Sequence, residues 1–216
     1  MDMVVVDFLA RWSHILFGIA WIGLLYYFNF VQTEYFKEAE DSARVDAFSK
    51  LVPRALWYFR WAALLTFLTG LVMLGYRGSA STAEIIVGSV LGTLMLLNVW
   101  GIIWRNQKIV IASNQAVAAG GEADPAAAQA APKAALASRT NTLFSIPMLW
   151  FMVASAHMSG GMMVAEVQAI VICCVIIALI EANAIWGKQY TMTTVKGVIA
   201  SGLALTVVLA GILRVF

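Results

Sequence analysis

Two imidazoles, His14 and His157, are the only histidines in the chain, and each lies inside an apolar run. Imidazole is the commonest side-chain ligand for metal centres, and an ionisable group within a membrane segment is a functional candidate. Two histidines on different helices, at matching depth, are how helical bundles hold a b-type haem. His14 and His157 are therefore the expected ligands of one haem b, with Trp12, Phe17, Trp150 and Phe151 near enough in sequence to line it. Met148, Met152, Met158, Met162 and Met163 cluster around His157. Thioethers suit Cu(I), so copper is a second reading of the same place. The plainer alternative is that each imidazole hydrogen-bonds within the helix bundle.

A second group of polar residues falls toward the other face. Arg54 and Arg60 open the second apolar run, while Asn98, Asn106 and Gln107 lie in or after the third. Arg139, Thr140 and Asn141 precede the fourth, and Glu181 and Asn183 are set deep in the fifth. Guanidinium and amide groups suit a planar, anionic, hydrogen-bonding substrate or a quinone head group. The expected substrate-binding set is Arg54, Arg60, Asn98, Arg139, Asn141 and Glu181. An unpaired carboxylate in a membrane is costly, so Glu181 is expected either to carry a proton or to pair with Arg60 or Arg139. The alternative is structural glue together with anchoring of the helix ends.

These groups need spans to position them. The chain is 62% hydrophobic and 12% charged, with a mean hydropathy of +0.83. Runs of about 20 apolar residues match the bilayer core, and lone segments in lipid satisfy their backbone as helices. Six spans are legible: 8–31, 55–76, 84–104, 142–158, 164–186 and 195–216. The expected fold is a single-domain, all-α integral membrane protein, a bundle of six transmembrane helices in the lipid bilayer. The fourth span is short and contains Pro147, which predicts a kink or a protein-buried position. Residues 117–135, rich in Ala, Gly and Pro, read as a flexible linker, and 34–50 as an exposed amphipathic helix. Lys37, Arg44, Lys50 and Arg54 fall in the first loop, Arg105, Lys108, Lys133 and Arg139 in the third, and Lys188 in the fifth. The positive-inside rule turns these loops to the cytoplasm and both termini to the periplasm of a bacterial inner membrane. No basic cluster suggests nucleic acid. The N-terminus carries Asp2 and Asp7 rather than a basic region, so it does not read as a cleaved signal. Cys173 and Cys174 are neighbours within one span and read as ordinary apolar thiols.

Several longer motifs occur in order. Arg11-Trp12-Ser13-His14-Ile15-Leu16-Phe17-Gly18-Ile19-Ala20-Trp21-Ile22-Gly23 is followed by Tyr26-Tyr27-Phe28-Asn29-Phe30-Val31-Gln32 and Leu51-Val52-Pro53-Arg54-Ala55-Leu56-Trp57. Asn98-Val99-Trp100-Gly101-Ile102-Ile103-Trp104, Asn106-Gln107-Lys108 and Ser138-Arg139-Thr140-Asn141-Thr142-Leu143-Phe144-Ser145-Ile146-Pro147-Met148 come next. Together they resemble the membrane domain of the bacterial cytochrome-c-linked urate hydroxylases of the PuuD type, over nearly the whole chain. The resemblance implies oxidation of urate to 5-hydroxyisourate, with electrons passing to a periplasmic cytochrome c. These residues contain no Cys-x-x-Cys-His haem-attachment motif, so a separate cytochrome c is the expected partner. Arg105 stands where the family pattern leads us to expect proline before Asn-Gln-Lys. Two other classes make different predictions: a transporter of urate or a related anion, with no chromophore, and an assembly subunit that co-purifies with a respiratory complex.

Overall fold

The computed structural model describes residues 2–78, 81–158 and 167–215. The expected Ser159-Gly160-Gly161 turn, Met162, Met163, the start of the fifth span at Val164 and Phe216 lie outside the described residues. Among the described residues the regular structure is entirely helical. Helix α1 (Met3–Glu38) and helix α2 (Asp41–Arg77) form a long antiparallel hairpin; α3 (Ala83–Ala118), α5 (Val167–Trp186) and α6 (Val195–Val215) follow the same up-and-down course. These five helices are long and apolar enough to cross a membrane.

Helix α4 (Ala126–His157) is long enough but has a different composition, and its place in the bundle explains why. It packs against α1, α3, α5 and α6, and bears a nearly unbroken buried stretch from Arg139 to Ser145. A helix shielded by protein does not need an apolar exterior. The expectation of a protein-buried fourth span holds, and Pro147 lies within an α4 that continues to His157.

Local sequence sets the helix ends. The Asp2 carboxylate accepts from the Val4 N–H (3.2 Å), and the Thr82 hydroxyl accepts from the Ile85 N–H (3.4 Å). The expected linker at 117–135 is shorter than composition suggested. Helix α3 runs to Ala118, and α4 begins at Ala126 with Ala130 and Ala134 already buried. Alanine is the strongest helix former, so an Ala-rich stretch that finds a packing partner becomes helix. Residues 34–50 likewise form no separate amphipathic helix. They are the facing ends of α1 and α2, laced by short-range pairs of Lys37 with Glu34, Arg44 with Asp41 and Lys50 with Asp46.

Within the long helices two described segments depart from α geometry, and a short 3-10 turn, Tyr190–Thr193, precedes α6. Tyr27–Gln32 in α1 and Val99–Ile103 in α3 are π-helical, and both pack on α4. Single π turns inside α-helices recur at functional sites.

Candidate functional site

His14 is half-buried between α1 and α2. Its Nδ1 lies 2.8 Å from the Thr66 carbonyl oxygen and 3.2 Å from Thr69 Oγ1. A carbonyl only accepts, so Nδ1 carries the proton and Nε2 keeps a free lone pair. Thr69 donates its own proton to the Leu65 carbonyl (2.7 Å), which leaves its oxygen free to accept from the ring. Gly70 makes room for the imidazole: a Cβ there would stand 3.2 Å from His14 Cε1. His157, at the end of α4, is exposed, with Nδ1 3.1 Å from the Val153 carbonyl oxygen. The same logic leaves its Nε2 as the free nitrogen. Both rings thus hold the tautomer that metal-bound histidines adopt, with the second nitrogen fixed by a carbonyl. Among the described residues no hydrogen bond joins the two imidazoles to one another.

Between α1 and α4 the packing divides in two. In one half, Tyr26 Oη and Ser145 Oγ are 2.9 Å apart, and the Asn29 amide donates to Ser138 Oγ (2.8 Å). Following the same side of α1 toward its N-terminus gives buried Ile22, then Ile19 and Ile15, which are 68% and 62% exposed. On α4 the side marked by Ser145 continues through Leu149 to Val153, which is 59% exposed, and Ala156. Beyond Ile22 these sides of the two helices carry exposed aliphatic residues, while the His14 ring is held by α2 and that of His157 by its own helix. Of the expected lining residues, Trp12 is exposed and Phe17 and Trp150 are half-buried, whereas Phe151 is fully buried against Gly88. Met148 and Met152 lie over Gly92 and Gly88 in the packing of α3 on α4.

The six residues expected to bind substrate separate into four places. Asn98 donates to Asn141 Oδ1 and to Glu181 Oε2, both at 3.0 Å, and Asn141 donates to the Met95 carbonyl (2.9 Å). Asn98 thus joins the other two, and the Glu181 carboxyl is held by Asn98 and not by Arg60 or Arg139. Arg60 lies over the Trp104 ring, 3.8 Å from its centroid, with the Trp100 ring at 5.9 Å. Trp100 Nε1 donates to the Arg60 carbonyl (3.2 Å), and Trp61 meets Trp100 edge-on. Arg54 is exposed on α2. Arg139 is 4% exposed, and its nearest carboxylate is Glu34 of α1 at 3.9 Å.

Sequence reading gave Arg139 a role but left Gln32 and Glu34 without one. Gln32 is 9% exposed and its Oε1 has no partner, as is also true of Arg139 Nη1 and Gln107 Oε1. Gln32 sits in a run of aromatic and apolar residues ending a span, where an amide reads as a boundary. The π turn that buries it has no simple sequence signal. Cys173 is buried, its thiol near the Leu209 carbonyl (3.7 Å), as expected of an apolar thiol.

Residues 77–215 match the family described as urate oxidase N-terminal. The chain belongs to this family. The matched residues begin at the end of α2 and take in α3 to α6, hence His157, Asn98, Arg139, Asn141 and Glu181, whereas His14, Gln32 and Glu34 precede them. No curated protein and no solved structure matches the chain. Membership suggests a urate-related function, and its helices make it a candidate multi-pass membrane protein.

Proposed function

We propose that this member of the urate oxidase N-terminal family is a membrane redox protein of the cytochrome-c-linked, PuuD-like kind. In this reading all six helices span a bacterial inner membrane, with both termini periplasmic and the basic loops cytoplasmic. It oxidises urate or a related reductant and passes electrons to a separate periplasmic cytochrome c. His14 and His157 would hold a b-type haem through their free Nε2 atoms. The observation that carries the reading is the matched state of the two imidazoles, each with Nδ1 held by a carbonyl and Nε2 free.

When bound, haem supplies a one-electron carrier. The chain's own residues do the rest. Thr66 and Thr69 fix the ring of His14, and Gly70 keeps its space open. Exposed Ile15, Ile19 and Val153 offer apolar surface to a flat macrocycle. Arg139, with the amides around it, orients a planar anion in the opposite half. The aromatic series Trp57, Trp61 and Trp100, with ring centroids 6.3 and 5.5 Å apart, lies beside Arg60.

A reduced-minus-oxidised absorption spectrum of the detergent-purified protein, with a pyridine haemochrome assay, tests the proposal. The expected result is a b-type spectrum at about one haem per chain. Protein purified without haem or metal, yet able to move urate into vesicles, would overturn the redox reading in favour of transport.

A further inference from the structure

We propose that Arg139, Gln32 and Glu34 form the seat of the anionic substrate, and that Glu34 is a placeholder which the substrate displaces. The inference rests on the reading of the inner half of the α1–α4 interface, the one that holds Tyr26, Asn29 and Arg139, as the substrate side, and narrows it to one place and one kind of ligand.

Three observations converge there. First, Arg139 is a buried guanidinium with an incomplete set of partners. Its Nη2 is 3.9 Å from Glu34 Oε1, too far for a hydrogen bond, and its Nη1 has none. Leaving a buried charged donor unsatisfied is costly, so the place is built for a further acceptor. Second, Glu34 is committed elsewhere. Lys37 Nζ donates to both of its carboxylate oxygens, at 2.9 and 2.8 Å, and the Glu34 side chain is 40% exposed. It neutralises Arg139 loosely and can leave toward Lys37 at small cost. Third, Gln32 lies between two contacts of α1 with α4, Asn29 with Ser138 on one side and Glu34 with Arg139 on the other. Its buried Oε1 is an acceptor without a donor. Helical side chains lean toward the helix N-terminus, and the Arg139 guanidinium points to Glu34, two residues beyond Gln32 on α1.

These unpaired groups specify a ligand. The guanidinium fork asks for an anionic edge, and the Gln32 carbonyl asks for an N–H on the same molecule. A planar ureide or purine-type anion presents both. A simple carboxylate satisfies the arginine alone and leaves Gln32 unpaired. The neighbouring Asn98–Asn141–Glu181 triad lacks this character: Asn98 donates to both of the others, Asn141 donates to the Met95 carbonyl, and no cationic group takes part.

The test is urate binding to the full-length detergent-purified chain by equilibrium dialysis, with benzoate as the simple carboxylate probe. Glu34→Gln removes the competing charge and should tighten urate by about threefold to tenfold, the worth of a partly exposed ion pair. Arg139→Gln should weaken both probes by about tenfold to a hundredfold. Gln32→Leu should weaken urate and leave benzoate unchanged. If Arg139→Gln fails to give a monodisperse helical protein, Glu34→Gln and Gln32→Leu carry the test. Unchanged or weaker urate binding in Glu34→Gln would overturn the placeholder while leaving the substrate side standing. Wild-type binding that survives in folded Arg139→Gln would overturn the seat. No urate binding by the wild type would remove the substrate-side reading, and the seat with it.

Discussion

The two halves of the α1–α4 interface use the same pair of helices and are closed in opposite ways. In the inner half, contact is polar and direct: Tyr26 with Ser145, Asn29 with Ser138, Glu34 toward Arg139. In the outer half, aliphatic side chains on both helices stay exposed, and the His14 ring is held by α2 rather than by α4. Polar contacts in a low-dielectric surrounding are directional and fix register. Apolar surfaces left apart fix nothing until something flat and greasy, or lipid, lies between them. On the proposed function, the inner half serves recognition and the outer half holds the cofactor.

The largest expected effect breaks this division at its outer end. Changing either imidazole, His14→Ala or His157→Ala, should abolish the haem spectrum, while Arg139→Gln should leave it intact. A normal spectrum in both histidine variants would sink the ligand assignment. Next comes the inner triad. Asn98→Leu strands the Glu181 carboxyl and the Asn141 carbonyl oxygen, and should destabilise the protein by about 2–4 kcal/mol. A lowered thermal midpoint in detergent would register this; an unchanged midpoint would mean the triad is not structural.

A subtler pair of variants sharpens the outer half. A methyl at Gly70 meets the His14 ring, whereas one at Gly75 meets nothing. Gly70→Ala should therefore shift the haem midpoint potential or band position, at a stability cost of about 1 kcal/mol, and Gly75→Ala should not. Equal behaviour of the two would detach His14 from the haem. The smallest effect belongs to Arg60→Met, which loses the stacking on Trp104. That loss is about 0.5–1 kcal/mol at a partly exposed site, visible as a small drop in thermal midpoint and a change in tryptophan fluorescence.

What the sequence made legible follows from where apolar residues run on. Helices α1, α2, α3, α5 and α6 announce themselves by hydropathy, each with an apolar window long enough to cross a membrane. Helix α4 is partly hidden because protein surrounds it, and its polar stretch from Arg139 to Ser145 reads as a loop edge. His14, His157, Asn98, Asn141 and Glu181 were conspicuous as polar residues in apolar runs. Their partners were not. The Glu181 contact with Asn98 depends on the relative rotation of α3 and α5, and the approach of Glu34 to Arg139 on a rotation within α1. Neither rotation is set by spacing alone, since a π turn resets the periodicity on which helical-face arguments depend.

That resetting has a mechanical side. A π turn adds one residue to a helix, which re-keys everything beyond it by about 100°. In α1 the segment Tyr27–Gln32 separates the stretch that seats His14 against α2 from the one that turns Glu34 toward α4. The two ends of a single helix are thus indexed independently, like two shafts joined through a coupling. A chain shortened by one residue at this turn would keep both halves helical and still aim one set of functional side chains at the wrong neighbour.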